Sequence, residues 1–253
     1  MPTHFPINRN YTMKRTLIGM LTPSSNTALE PITTMMLAGL PEVSAHFGRF
    51  RVLQIALSDT ALKQFDDANI LAAAELLNDA EIDVIAWNGT SSGWLGFESD
   101  ERLCERLTAR IGKPASTSVL ALNEILRATG AKDIAFVTPY TDDVQARIVA
   151  NYTRHGFNVV AERGLGLSHN FSFSEVTAEQ LRGMIREVAK AKPQAITTFC
   201  TNLHGAPLVE EMERETGIPI YDTISTALWK ALKVTGVDPA RVQGWGRLFR
   251  EVK

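Results

Sequence analysis

Cys200 follows the apolar run Ala195–Phe199 and opens the polar stretch Cys200–Gly205, so a thiol stands at the end of a predicted strand. In that position it can act as a nucleophile or, kept neutral, as a proton donor. Packing is the other reading, since free cysteine is among the most buried residue types. The run Gly89-Thr90-Ser91-Ser92-Gly93 stands in the same relation to the strand pattern Val84–Trp87 and precedes a helical pattern. Its amides and hydroxyls could hold an anion at a helix start, or form a plain turn with a Ser/Thr cap. Two further loops match each other, Pro23-Ser24-Ser25-Asn26 and Pro139-Tyr140-Thr141-Asp142. Asn26 and Tyr140 could each donate to a carboxylate, while Ser24, Ser25 and Asp142 also fit ordinary turn chemistry. His204 either tunes Cys200 or faces solvent. Cys104 falls inside the helical pattern Glu98–Ile111 and reads as packing.

Other chemistries are disfavoured by what surrounds these residues. There is no GxxxxGK[ST] loop and no GxGxxG, which argues against nucleotide binding, and no GxSxG. His4, His46, His155 and His169 have no metal-ligand spacing, so no metal is indicated. The 253 residues are 45 % hydrophobic and 21 % charged with a net charge of −2, and no block of like charge suggests nucleic acid or a membrane surface. No apolar run reaches the length of a membrane span. Residues 1–14 read as a poorly ordered tail with no apolar leader. Two cysteines are too few for a disulfide framework, and a reduced, cytoplasmic location is the default. Partners would be small molecules, with a homo-oligomer left open. Trp94, Leu95 and Phe97 could line a pocket or a subunit contact, core packing being the simpler fate.

Strand-like runs at Thr16–Leu21, Arg51–Ala56, Val84–Trp87, Ile134–Val137, Asn158–Glu162 and Ala195–Phe199 alternate with helical patterns at Ala61–Asn78, Glu98–Ile111, Asp143–His155 and Ala178–Ala191. Such alternation predicts a mostly parallel sheet flanked by helices. The chain also repeats itself. GKPASTSVLALNEILRATG from Gly112 parallels GIPIYDTISTALWKALKVTG from Gly217, TLIGMLTPSSN parallels DIAFVTPYTDD, and IDVIAWNGTSS parallels PQAITTFCTNL. The offsets are 105, 117 and about 111 residues, in the same order along the chain. We therefore expect an α/β fold of two pseudo-symmetric lobes, residues 15–117 with 225–253 and residues 118–224. The helix Val119–Ala128 would cross to the second lobe and the helix from Thr226 return to the first. The four loops after the strands would face one crevice, where ligands of open parallel sheets bind.

These motifs resemble the aspartate/glutamate racemase superfamily, and within it the maleate isomerase and arylmalonate decarboxylase branch, from Thr16 to Gly246. LTPSSNTALEP is similar to the first-lobe loop of maleate isomerases, GLGLSHN to another of their segments, TPYTDDV to the second-lobe loop of both subfamilies, and FCTN to the segment carrying the second-lobe cysteine. The resemblance implies two lobes with a cleft between them, no cofactor and no metal, and a small carboxylate or dicarboxylate substrate. It implies substrate binding by Asn26, Gly89, Thr90, Ser91, Tyr140, Asn170 and Thr201, and catalysis by Cys200. Where racemases and maleate isomerases carry a first-lobe cysteine this chain has Gly89, as in the Gly-Thr-Ser of arylmalonate decarboxylases.

Racemisation without a cofactor needs an acid on one face of the carbon and a base on the other, which one thiol cannot supply. Decarboxylation followed by one-sided protonation needs only one. The expectation is thus a cofactor-independent lyase acting on a malonate-like diacid, with Cys200 protonating an enediolate. The alternatives are an isomerase or racemase of the same superfamily and a catalytically silent carboxylate-binding protein.

Overall fold

The computed structural model describes residues 15–58 and 67–253. Strand β1 (Thr16–Pro23) is buried on both faces from Ile18 onward, as a central parallel strand must be. It lies between β2 (Val43–Phe50) and β3 (Val84–Trp87), and β4 (Ala115–Thr117) extends the sheet beyond β3. The second sheet repeats the plan: β5 (Asp133–Val137) lies between β6 (Asn158–Arg163) and β7 (Ala195–Thr198), with β8 (Ile220–Asp222) outside β7. The orders β2-β1-β3-β4 and β6-β5-β7-β8 are the same, and every pairing is parallel. The repeat in the sequence is therefore a repeat in topology.

Helices flank both sheets: α1 (Leu29–Met36), α2 (Asp67–Asn78), α3 (Ser92–Leu95), α4 (Phe97–Ile111), α5 (Ser118–Ala128), α6 (Asp142–Arg154), α7 (Ala178–Ala189), α8 (Val209–Thr216), α9 (Thr223–Val234) and α10 (Arg247–Glu251). The repeated Gly-x-Pro motif has a local cause. Gly112 and Gly217 take left-handed conformations (φ 68° and 75°) that end α4 and α8 and turn the chain into β4 and β8. The next helices start on matched caps: Thr117 accepts from the amide of Leu120 at the start of α5, and Asp222 from that of Ile224 at the start of α9. Helices α5 and α9 pack together, with the Thr226 hydroxyl donating to the carbonyl of Ser118 at 2.9 Å. Helix α9 also lies against β3 and β4 of the first sheet.

The runs expected at Thr16–Leu21, Val84–Trp87, Ile134–Val137, Asn158–Glu162 and Ala195–Phe199 are strands, with ends shifted by two residues or fewer. Arg51–Ala56 is not. The second strand is the preceding stretch, VSAHFGRF, whose half-exposed interior is that of an edge strand and lacks a continuous apolar signal. The more apolar Arg51–Ala56 instead leaves the sheet and reaches the other lobe. Gln54 forms an antiparallel bridge with His169, the amide of Ile55 donates to Ser168, and that of Asn170 to Leu53. Its apolar residues Val52 and Ile55 are buried by that crossing. The helix expected over Ala61–Asn78 is seen over Asp67–Asn78. Residues 61–66 and the proposed tail 1–14 lie outside the described residues. Among the described residues no helix is long and apolar enough to cross a membrane.

Candidate active site

β1, β3, β5 and β7 end at Pro23, Trp87, Val137 and Thr198, and the loop after each turns toward the junction of the two sheets. Between them lies a small cavity of about 20 Å³. Its polar wall is Gly89, Thr90 and Ser91 from the loop after β3, Tyr140 from the loop after β5, Cys200 and Thr201 from the loop after β7, and Asn170. Its apolar wall is Val52, Ile55, Trp87 and Trp94, with Pro23 at the edge. Of the eight residues that the family resemblance implies for the site, all but Asn26 border this cavity; Ser24, Ser25 and Asp142 of the matched loops do not.

Cys200 is 3 % exposed, and its Sγ accepts from the amide of Asn202 at 3.4 Å and from the Tyr140 hydroxyl. Burial pushes the thiol up to about 12, well above the usual thiol range. The Tyr140 hydroxyl holds it down and the carboxyl of Asp222 raises it further. At neutral pH the group is therefore a thiol, an acid rather than a thiolate nucleophile. The hydroxyls of Tyr140 and Thr90 are 2.6 Å apart, so a chain of hydrogen bonds crosses from the first-lobe loop to the second-lobe sulfur. Tyr140 sits edge-on to Trp94 (centroids 5.3 Å apart) and to Phe173 (5.6 Å), which fixes its ring.

Behind Cys200 lies Asp222, paired in register with Thr198. The Thr198 hydroxyl donates to its Oδ2 at 2.5 Å, and the amide of Ile224 to its Oδ1 at 2.8 Å. Burial raises this carboxyl to about 7. A Cβ on Gly205 would stand 2.7 Å from the Asp222 Oδ2, so the Cys200–Gly205 loop closes directly over the carboxyl. The matching residue of the first lobe is Thr117. The lobe that carries the thiol thus also carries an acid beneath it.

Asn26, Asn170 and Thr201 are engaged between the lobes. The Asn26 Nδ2 donates to the carbonyl and hydroxyl of Thr201, and its Oδ1 accepts from the amides of Ala28 and Leu29 at the start of α1. The Thr201 hydroxyl donates to the carbonyl of Asn88. The Asn170 side chain donates to Ser25, whose hydroxyl donates to the carbonyl of Val52. Asn202, which the sequence did not single out, accepts from the amides of Thr27 and Ala28 and donates to the carbonyl of Asn170. These bonds hold the rim of the cavity in shape. His204 is partly buried and does not border the cavity, and Cys104 lies in α4. Among the described residues no three His, Cys, Asp or Glu side chains gather as metal ligands.

Gly89 has a neighbour that sequence reasoning missed. A Cβ there would fall 2.6 Å from Cη2 of Trp87 and closer still to Cζ2 and Cε2. The indole, 1 % exposed and packed on Phe50, occupies the space where a first-lobe side chain would reach into the cleft. The signal was available: residues two apart at a strand end point to the same side, and Trp87 stands two before Gly89.

This two-lobed arrangement is shared with known proteins. The sequence profile of the arylmalonate decarboxylase family matches residues 18–249. A maleate isomerase of Pseudomonas putida is 30 % identical over 92 % of this chain and 96 % of its own length. An arylmalonate decarboxylase of Bordetella bronchiseptica is 28 % identical over 66 % of this chain and 71 % of its own length. The solved Nocardia farcinica maleate cis-trans isomerase with a covalently bound succinylcysteine intermediate superposes with a TM-score of 0.86 at 26 % identity, covering 94 % of this chain and 99 % of that one. Since the profile runs through both sheets and all four cleft loops, the chain belongs to the arylmalonate decarboxylase family and is an enzyme of the isomerase or lyase class.

Proposed function

We propose that the protein is a cofactor-independent decarboxylase of a malonate-like dicarboxylate. The observation that carries this reading is the Trp87 indole in the place of a Gly89 side chain, which leaves Cys200 as the one thiol bordering the cavity among the described residues. The retained carboxylate would lie against Thr90, Ser91 and Tyr140, whose donors stabilise charge that grows during reaction. The other carboxylate would face Val52, Ile55 and Trp94, where an ion loses its hydration and neutral carbon dioxide does not suffer. The bond between the central carbon and that carboxyl breaks, and its electron pair enters the retained carboxylate as an enediolate. Cys200 then gives its proton to the carbon from one face. The resulting thiolate, conjugate base of an acid with a pKa of about 12, regains a proton from solvent before the next turnover.

A second reading, cis–trans isomerisation of maleate, is supported by the identity of the Pseudomonas putida relative. It would require another group to stand in for a thiol at Gly89. The two readings are separated by NMR of products and by gas release, using phenylmalonate, methylphenylmalonate, ethenylmalonate and maleate with wild-type enzyme and Cys200→Ser. Carbon dioxide from a malonate, lost in the variant, is the expected result. Fumarate from maleate would overturn the lyase reading.

A further inference from the structure

Trp87 separates two cavities. On one side is the active-site cavity of about 20 Å³. On the other is a cavity of about 250 Å³, lined by Asp100, Leu103 and Arg106 of α4 together with Leu95 and Ile70. Trp87 and Ser91 border both. The other aromatic walls of the active site are backed by protein, Tyr140 resting on Trp94 and Phe173. Trp87 is the wall with free space behind it, held in place by Phe50 at 5.0 Å. The active-site cavity is the tighter of the two, with room for about 20 Å³ against about 250 Å³ behind the indole.

We propose that Trp87 sets the size of the substrate: the diacid carries on its reacting carbon a substituent smaller than an aromatic ring, and the cavity behind the indole is where a larger one would go. This inference rests on the malonate-type reading above. The chemistry narrows it further. An enediolate gains from conjugation with its substituent, so a small unsaturated group such as ethenyl fits the site and the reaction together. A phenyl ring would have to take the place of the indole.

The test is calorimetric binding of methylmalonate, ethenylmalonate and phenylmalonate to wild type, Trp87→Leu and Trp87→Phe, with turnover of each diacid followed in parallel. Wild type should bind the two small diacids at least tenfold more tightly than phenylmalonate. Trp87→Leu should reverse that ratio by tenfold or more, and Trp87→Phe, a smaller change to the packing, should move it in the same direction. Equal binding of phenylmalonate and methylmalonate by wild type, a ratio unmoved in both variants, or binding of none of the three would overturn the inference. A ratio that moves as expected without carbon dioxide from any diacid would uphold the size limit and sink the decarboxylase reading. Fast decarboxylation of phenylmalonate by wild type would do the reverse.

Discussion

The hydroxyls of Thr90 and Tyr140 meet across the cleft at 2.6 Å, and Tyr140 in turn donates to the Cys200 thiol. The loop after β3, the loop after β5 and the end of β7 are thereby joined through side chains that are all almost wholly buried. Hydrogen bonds in such low-dielectric surroundings are stronger than in water and reinforce one another. Burial holds the Tyr140 hydroxyl well above the usual phenol range, so it remains a donor at working pH.

Tyr140→Phe removes the middle link of this chain while keeping the ring and its packing on Trp94 and Phe173. Loss of one preorganised donor costs kcat about 10²–10³-fold in comparable sites. We expect a fall of that order with a smaller change in KM and an unchanged circular dichroism spectrum. A change confined to KM would mean that Tyr140 contributes only to ground-state binding.

Cys200 should behave as a weak acid toward thiol reagents. Its group is raised to about 12 by burial, so the thiolate fraction should climb tenfold with each pH unit well beyond the range in which an ordinary thiol, with a pKa near 8.5, has levelled off. The alkylation rate of Cys200, read by mass spectrometry of its peptide, should still be rising at pH 10. A plateau near pH 8.5 would mean an exposed thiolate and would remove the proton-donor role.

Much of this was legible in the sequence because it rests on local signals. The duplicated Gly-x-Pro segments revealed the two lobes, since the left-handed Gly112 and Gly217 and the caps Thr117 and Asp222 impose the same turn twice. The loops carrying Thr90, Tyr140 and Cys200 were placed by strand ends alone. What escaped was long-range. Arg51–Ala56 has the apolar content of a strand, yet its partners are Ser168–Asn170 of the other lobe. Asn26 carries the side chain of a carboxylate binder, but both ends of its amide are engaged by Thr201 and the start of α1. Neither fact is encoded in neighbouring residues. The close approach of Trp87 to Gly89 is the exception, because strand periodicity alone could have exposed it.

Gly89→Ala tests that approach directly. The added methyl would overlap the Trp87 indole, which packs on Phe50. Overpacking of this kind costs about 1–3 kcal/mol. The urea midpoint should fall accordingly, and pairing the change with Trp87→Leu should restore most of the loss. Full stability of Gly89→Ala alone would show that the indole yields easily, which would weaken the case against a first-lobe thiol.

Asp222→Asn should make the protein more stable at alkaline pH. In the fold this carboxyl titrates at about 7, against about 3.9 for a free aspartate. The folded state therefore holds the proton more tightly than the unfolded chain does. The stability this contributes is fully present below about pH 4 and lost as pH rises through about 7. Asp100, raised to about 6 by burial, adds a loss in the same direction. Asparagine keeps the oxygen that accepts from Ile224 and never ionises. Wild type and variant should accordingly unfold alike below about pH 4 and diverge by up to about 4 kcal/mol by pH 8, an order-of-magnitude figure from the difference in titration points. The same variant removes a carboxylate that raises the Cys200 thiol, so the alkylation profile of Cys200 should shift toward lower pH. Urea unfolding curves that stay parallel from pH 4 to pH 8, with an unmoved thiol profile, would show that Asp222 serves only as the cap of α9.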